Sequence, residues 1–279
     1  MPTVLITGAS RGIGRELVTH LAAAGWDVIA GVRTAADAEA VTAIDPRRVS
    51  TVLLDVTDDD HVAALPDALP ARLDAVVNNA GIVVAGPVEA LDSAAWRHQF
   101  EVNVFGQLAV TRAVLPKLRE TRGRVVFVSS VNGRLSIPML GAYSASKFAL
   151  EGAADALRVE LRPWGVAVAV VEPAQTDTDM WRLADTMVTD TEAGLSAGYR
   201  AMYAGHIAGM KKFVPAARRM TVPAAKVAAV VDRALTARRP KARYVVGVGP
   251  RLQIVLMSNV PVRLRDQAIG LIAGVPRRR

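Results

Sequence analysis

Tyr143 and Lys147 stand four residues apart in Tyr143-Ser144-Ala145-Ser146-Lys147, and Ser129-Ser130 ends an apolar run just upstream. On a helix that spacing puts both side chains on one face, about 6 Å apart, so an ammonium can lie beside a phenol. An unperturbed tyrosine, with a pKa of roughly 10, is a poor base at neutral pH. A positive neighbour favours its ionised form and makes proton exchange with a substrate oxygen feasible. Taken alone the pair also fits a solvated helix face, so its meaning depends on what the rest of the chain places around it.

The start of the chain supplies the first such surroundings. Thr3-Val4-Leu5-Ile6-Thr7 is β-branched and apolar, and it runs into Gly8-Ala9-Ser10-Arg11-Gly12-Ile13-Gly14 and then into a segment of helical periodicity from Glu16. Strand, glycine turn and helix in that order let backbone amides and a helix N-terminus approach a pyrophosphate, because glycine has no Cβ to block contact and the helix dipole favours the anion. The glycine spacing is G-x-x-x-G-x-G, distinct from the G-x-G-x-x-G of other dinucleotide folds.

Further strands are expected at 27–33, 49–56, 73–77, 125–128 and 166–171, with a seventh near 244–248; the clearest helices between them are 105–119 and 146–162. Strands alternating with helices imply an α/β fold of the Rossmann type, a doubly wound parallel sheet of about seven strands with helices on both faces. The glycine turn, Arg33, Asp55-Val56, Asn79-Ala80-Gly81, Ser130 and the stretch from Pro173 to Thr178 all fall at the carboxyl ends of these strands, where open α/β sheets bind ligands. No repeat or linker divides the chain, so residues 1–279 read as one domain.

With these motifs in order, the chain resembles the short-chain dehydrogenase/reductase family over nearly its whole length. Thr7 to Gly14 is similar to the family's TGxxxGIG cofactor motif, Asn78-Asn79-Ala80-Gly81 to its NNAG motif, Tyr143 to Lys147 to its YxxxK, and Asn103 to the remaining member of its catalytic set. The resemblance implies that Ser130, at the family's separation from Tyr143, bonds the substrate carbonyl, with Ser129 as a structural neighbour. Tyr143 exchanges the proton while a nicotinamide carries the hydride. Lys147 favours the tyrosinate and binds the nicotinamide ribose, and Asn103 holds a water that extends the relay to solvent. It further implies that Asp55 bonds the adenine amino group. Glu172-Pro173-Ala174-Gln175-Thr176-Asp177-Thr178 resembles the PGxxxT segment that binds the nicotinamide amide, with Ala174 in place of the usual glycine; Thr178 keeps the spacing and Thr176 is the second choice.

NADP is the expected cofactor, with NAD as the alternative. A carboxylate at the end of the second strand would bond the adenosine ribose of NAD and repel a 2'-phosphate. Here Val32 holds that position, while Arg33 and Arg11 offer guanidinium groups to a phosphate, and Asp37 lies beyond the strand end.

The expected substrate is a hydrophobic carbonyl or alcohol. A cap is expected over 179–222, carrying Met180, Trp181, Met187, Tyr199, Met202, Tyr203, Met210 and Phe213, side chains suited to an adaptable apolar pocket. The segment Arg238 to Tyr244 resembles the steroid and retinol dehydrogenase branch, which implies a steroid-, retinoid- or lipid-like substrate. Two other readings stay open: a non-catalytic nucleotide sensor on the same fold, and an epimerase or dehydratase of the extended relatives.

Composition agrees. Half of the 279 residues are hydrophobic (51%), enough for a sizeable core, and there is no cysteine, which removes disulfides, thiolate nucleophiles and cysteine-based zinc sites. His20, His61, His98 and His206 show no ligand spacing and are expected at the surface; no metal is expected. The net charge of +8 is concentrated toward the C-terminus without the aromatic platform of single-strand binders, so nucleic acid is not an expected partner. In the extension 249–279, Leu252 to Met257 and Ile269 to Ile272 alternate with arginines. Such a tail can touch an anionic membrane, but packing over the substrate site is the preferred reading. No secretory leader or long apolar span is seen, and the expected location is cytoplasmic. By family analogy the chain forms a homodimer or homotetramer through the helices 105–119 and 146–162, whose small residues Gly106, Ala109, Ala113, Ala149, Gly152, Ala153 and Ala156 allow close packing.

Overall fold

The computed structural model describes residues 1–275. In chain order the elements are β1 (Thr3–Ile6), α1 (Gly12–Ala23), β2 (Asp27–Val32), α2 (Ala35–Thr42), β3 (Val49–Leu53), α3 (Asp59–Ala68), β4 (Ala75–Asn78), α4 (Ser93–Phe100), α5 (Gln107–Thr121), β5 (Arg124–Val128) and α6 (Gly141–Glu160). There follow β6 (Ala167–Glu172), β7 (Thr176–Asp177), α7 (Asp179–Arg182), α8 (Ala184–Gly194), α9 (Ala197–Arg218), β8 (Val222–Pro223), α10 (Ala224–Thr236), β9 (Arg243–Val245), α11 (Val248–Asn259) and α12 (Val262–Ile272). Seven strands pair in parallel in the order β3-β2-β1-β4-β5-β6-β9, while β7 and β8 form a small separate pair.

The sheet is covered on both faces, as its apolar strands require. Alternate residues divide between two cores. Val4, Ile6, Val28, Ala30, Val77, Val126 and Val171 pack with Leu17, Val18 and Leu21 of α1 and Val227 and Val231 of α10. Leu5, Ile29, Val76, Val125, Phe127 and Val170 pack on the other side with Val110, Val114 and Leu118 of α5 and Leu150 and Ala154 of α6. The order reverses between β1 and β4, which puts the loops after these two strands on either side of a crevice.

The expected boundaries change in four places, each with a local cause. The third strand stops at Leu53 instead of 56, because the Asp55 carboxylate turns the chain by accepting from the Thr57 amide (3.0 Å) and hydroxyl (2.7 Å). The helix expected from 105 is preceded by a π-helical turn, Glu101–Gly106, that runs straight out of α4. The helix expected from 146 begins at Gly141, so Tyr143 and Lys147 share α6. The last strand ends at Val245 because Gly247, at φ +97°, turns the chain into α11.

The segment 179–222, expected as a cap, is helical in α7 to α9, and its apolar side chains Ile207, Met210 and Val214 cluster on Met139 with Val188, Tyr203 and Phe213 around them. Met202 is exposed and does not join them. The side chain of Met180 lies outside the described residues. Beyond β9, the C-terminal helices return to the cap: a Cβ on Gly209 of α9 would press on the backbone of Ala273 and Gly274, so the tail seats on a cap helix. Arg277, Arg278 and Arg279, part of the expected basic tail, lie outside the described residues. Among the described residues no helix is long and apolar enough to cross a membrane.

Candidate active site

The glycine turn is built by close approach. Gly8 (φ +62°) and Gly12 (φ +54°) hold left-handed backbone, and a Cβ on Gly8 would come within 2.9 Å of the Ala80 Cα. The loop after β4 locks it: the Thr7 hydroxyl accepts from the Asn79 and Ala80 amides (both 3.0 Å), and the Asn79 side-chain amide donates to the carbonyls of Thr7 (3.0 Å) and Gly8 (3.1 Å). Gly14 packs under the same junction, beside the Gly8 carbonyl and the Asn79 amide. At the N-terminus of α1, Arg11 makes no side-chain cap, and the first-turn amides have no side-chain acceptor there. Ser10, Arg11 and Ile13 border this open helix end, where an anion is favoured. Thr178 faces it from across the crevice, since a Cβ on Gly12 would lie 3.4 Å from the Thr178 Cβ.

Along the adenine side, Val32 is buried at the end of β2 and Arg33 and Arg11 are exposed. Asp37 sits in the first turn of α2, where its amide donates to the capping hydroxyl of Thr34 (3.1 Å). Asp55 is a carboxylate of lowered pKa: partial burial works against the charge, but the two bonds from Thr57 and the charges of Arg33 and His61 outweigh it. Val56 beside it is buried. These residues fit a dinucleotide: an uncapped helix end for the pyrophosphate, two guanidinium groups and no acid at the end of β2.

At the other end of the crevice, α6 presents the chemistry. Lys147 is buried (4% exposed), donates to the Val128 carbonyl (2.9 Å) and places its Nζ 5.9 Å from the centre of the Tyr143 ring. Burial brings its pKa down to about 8, with the Glu151 charge opposing. The Tyr143 phenol is pushed up by burial, while the neighbouring Ser130 hydroxyl works the other way. In the chain alone desolvation is the largest influence on both groups. Ser130 is fixed by the turn that follows it, its Oγ accepting from the Asn132 amide (3.1 Å), and the Pro173 carbonyl accepts from the Val131 amide (3.0 Å).

Asn103 lies in the π-helical turn, where the extra residue per turn aims its side chain inward. It clamps Ile82, accepting from its amide (2.8 Å) and donating to its carbonyl (3.0 Å), and also donates to the Ser146 hydroxyl (3.1 Å). Gly81 adjoins both groups, since a Cβ there would lie 3.4 Å from Asn103 Oδ1 and 3.8 Å from Lys147 Nζ. The amide thus already satisfies backbone groups of the loop after β4. After β6, Thr176 and Thr178 are both buried, and their hydroxyls donate to the Ala174 (3.0 Å) and Thr176 (3.2 Å) carbonyls. Ala174 is not among the positive-φ residues, so the missing glycine costs the backbone nothing.

The structure therefore brings Tyr143, Lys147, Ser130, Asn103, Gly81 and Thr178 to one crevice that continues to the glycine turn. The histidines His20, His61 and His206 are half-buried: His20 pairs with Asp232 (3.3 Å), His61 accepts from the Asp55 amide (3.2 Å), and the ring nitrogen Nδ1 of His206 is covered. Glu151, Glu172 and Arg243, which lie behind Lys147, were not anticipated. The continued spacing of four from Lys147 to Glu151 and Asp155 is the signal that marks two of the acids.

Among known proteins, the family model described as short chain dehydrogenase matches residues 2–188. Retinol dehydrogenase 5 of Mus musculus is 33% identical, over 98% of this chain and 89% of its own. An NADPH-dependent 3-dehydrocapnine reductase of Ornithobacterium rhinotracheale is 32% identical, over 96% and 95%. Of the solved structures, a short-chain dehydrogenase from Streptomyces avermitilis superposes with a TM-score of 0.78 at 28% identity, covering 99% of this chain and 98% of that one. A short chain dehydrogenase from Burkholderia cenocepacia in complex with NADP does so with 0.74 at 26%, with the same coverage. A parallel seven-stranded sheet, a glycine turn locked by Asn79, and a Tyr143-Lys147 pair on α6 are what these proteins lead one to look for, and the chain belongs to the short-chain dehydrogenase family of NAD(P)-dependent oxidoreductases.

Proposed function

We propose that the chain is an NADP(H)-dependent oxidoreductase that interconverts a hydrophobic carbonyl and its alcohol. The observation that carries this reading is the Tyr143 phenol beside Ser130, with the Lys147 ammonium nitrogen 5.9 Å from its ring centre on the same helix. When bound, the nicotinamide supplies the hydride. Ser130 holds the carbonyl oxygen, and Tyr143 gives it the proton as negative charge develops there. Lys147, charged below a pH of about 8, stabilises the tyrosinate left behind and binds the nicotinamide ribose. Asn103, clamping Ile82, keeps the loop bearing Gly81 beside Lys147. Gly8, Ser10, Gly12, Ile13, Gly14 and the loop Asn79-Ala80-Gly81 cradle the pyrophosphate side, Asp55 and Val56 the adenine, and Pro173, Thr176 and Thr178 the nicotinamide amide.

Arg33 and Arg11 at the end of β2 and in the glycine turn support NADP over NAD, and the reductase from Ornithobacterium and the structure from Burkholderia carry NADPH or NADP in their names. An Arg33→Asp change is expected to raise KM for NADPH by about 10- to 100-fold, the worth of one or two charge-assisted bonds, and to raise it little for NADH. Equal effects on both cofactors in steady-state assays at 340 nm would remove Arg33 from phosphate recognition.

The substrate reading rests on the cap: Met139, Val188, Ile207 and Met210 line a cavity of about 20 Å³, closed down by flexible side chains that can part for a hydrophobic ligand. The retinol dehydrogenase relative supports a lipid-like carbonyl. A panel of steroid, retinoid, quinone and short aliphatic carbonyls read at 340 nm tests this, and turnover confined to the short aliphatic compounds would count against it.

A homo-oligomer through α5 and α6 is also proposed. Their outer faces carry a groove of about 810 Å³ lined by Phe105, Leu108, Ala153, Ala156, Leu157 and Trp164, with Phe105 and Trp164 half exposed. Gly106 is not part of it; it packs inward on Val56. Trp164→Glu together with Phe105→Glu is expected to yield monomers in analytical ultracentrifugation, and a wild type that already sediments as a monomer would refute the proposal.

A further inference from the structure

Behind Lys147, on the side away from Tyr143, α6 continues the same stripe with Glu151 and Asp155, each four residues on. Glu151 is as buried as Lys147 (both 4% exposed), and Glu172, at the end of β6, is fully buried. Two carboxylates enclosed this deeply need counter-charges. Arg243 of β9 supplies most of them, reaching Glu151 (3.0 Å), Glu172 (3.4 Å) and Asp155 (2.6 Å), and Arg134, on the turn after Ser130, reaches Glu172 (3.4 Å). The Ser129 hydroxyl turns toward Glu151 without closing a full hydrogen bond. A Cβ on Gly133 would strike both that hydroxyl (2.9 Å) and the Glu151 Cγ (3.0 Å). The cluster therefore ties together the ends of β5 and β6, the turn that carries Ser130, and the helix that carries Tyr143 and Lys147.

We propose that Glu151 is a positioning residue for the reaction: its carboxylate, one helical turn behind Lys147, keeps that lysine an ammonium while Tyr143 exchanges its proton.

The division of charge follows from the surroundings. Glu151 faces Lys147 and Asp155 from its own helix, Ser129 from β5, Arg134 from the turn, Glu172 from β6 and Arg243 from β9. Glu172 has neither a lysine nor a hydroxyl beside it, and the Glu151 charge opposes its own; burial and that repulsion push it up to about 7. One oxygen of each acid, Glu151 Oε1 and Glu172 Oε2, has no hydrogen-bond partner among the described residues. Burial pushes Glu151 up as well, with Ser129, Arg243 and Arg134 working the other way, and its charge is the one that opposes the desolvation of Lys147. This inference rests on the proposed role of Lys147.

The test is a pH titration of the Lys147 ¹³Cε resonance in lysine-labelled protein, assigned by its loss in Lys147→Met, alongside the pH profile of kcat. In the wild type the midpoint is expected at about 8. Glu151→Gln is expected to lower it by about one unit and to move the alkaline limb of kcat with it, so that turnover near pH 8 falls about three- to tenfold. Glu172→Gln is expected to move the midpoint less than Glu151→Gln does, because Glu151 is the charge that opposes the desolvation of Lys147. If Glu151→Gln does not fold, Glu151→Met carries the same expectation. A midpoint unmoved by either neutral Glu151 variant, or moved as far by Glu172→Gln, overturns the proposal. If the midpoint moves as stated while Lys147→Met keeps full turnover, the fault lies with the role given to Lys147 and not with Glu151.

Discussion

Replacing Tyr143 by Phe is expected to lower kcat/KM for carbonyl reduction by about 10²- to 10⁴-fold, the usual worth of a general acid, while leaving NADPH affinity within a factor of a few. Only the hydroxyl is lost. The ring still fills its place on α6 beside Ser130 and Lys147, and the glycine turn and Asn79 contacts that fit the cofactor lie at the far end of the crevice. The loss should fall on kcat more than on KM, because the proton is given as charge develops on the carbonyl oxygen. Steady-state kinetics together with NADPH binding followed by fluorescence read the two quantities separately. A variant that keeps more than about a third of wild-type kcat would mean that some other group donates the proton.

Lys147→Met should have the second large effect, in opposite directions on activity and stability. Turnover is expected to fall by about 10²-fold or more, because the tyrosinate left after proton transfer loses its nearest cation. Stability is expected to rise. The lysine's folded pKa is about 8 against 10.5 for the ordinary side chain, so between those values the unfolded chain holds more protons than the native one, and native stability increases as pH rises through that window. Below pH 8 the buried ammonium is carried at a cost of about 3.4 kcal/mol. Leaving the Val128 carbonyl without its donor takes back about 1 kcal/mol. The net gain of about 2–2.5 kcal/mol at pH 7 corresponds to a rise in Tm of roughly 4–10 °C for a domain of this size. Melts at pH 7 and pH 10 check the sign, since the gain should shrink at the higher pH. A lower Tm at pH 7 would show that the lysine is held without strain.

The parts of the molecule that sequence reveals are those where chemistry demands a residue type at a short spacing. The glycine turn, Asn79 and the Tyr143-Lys147 pair are of this kind, and the strands are apolar enough on both faces to be read as a buried parallel sheet. Element ends were less legible. α6 begins at Gly141 with no side-chain cap to announce it, and the π-helical turn around Asn103 runs directly out of α4 with no break in helical pattern. Gly106 looks like a small residue for helix packing, but its lack of a Cβ serves contact with Val56 across the fold. The cluster behind Lys147 was hidden for a different reason. Glu151, Glu172 and Arg243 come from α6, β6 and β9, and only the sheet order, with β9 beside β6, brings them together. The phenol's raised pKa was also out of reach, because burial, unlike spacing, belongs to the finished fold.

The most direct test of the central claim follows a label from cofactor to product. Wild-type protein is incubated at pH 7 with NADPH carrying deuterium at the transferable C4 position and with the carbonyl panel, and the products are examined by mass spectrometry. The expected result is an alcohol with one deuterium on the former carbonyl carbon. Saturable NADPH binding with no label in any product would contradict the account and identify the chain as a nucleotide-binding sensor.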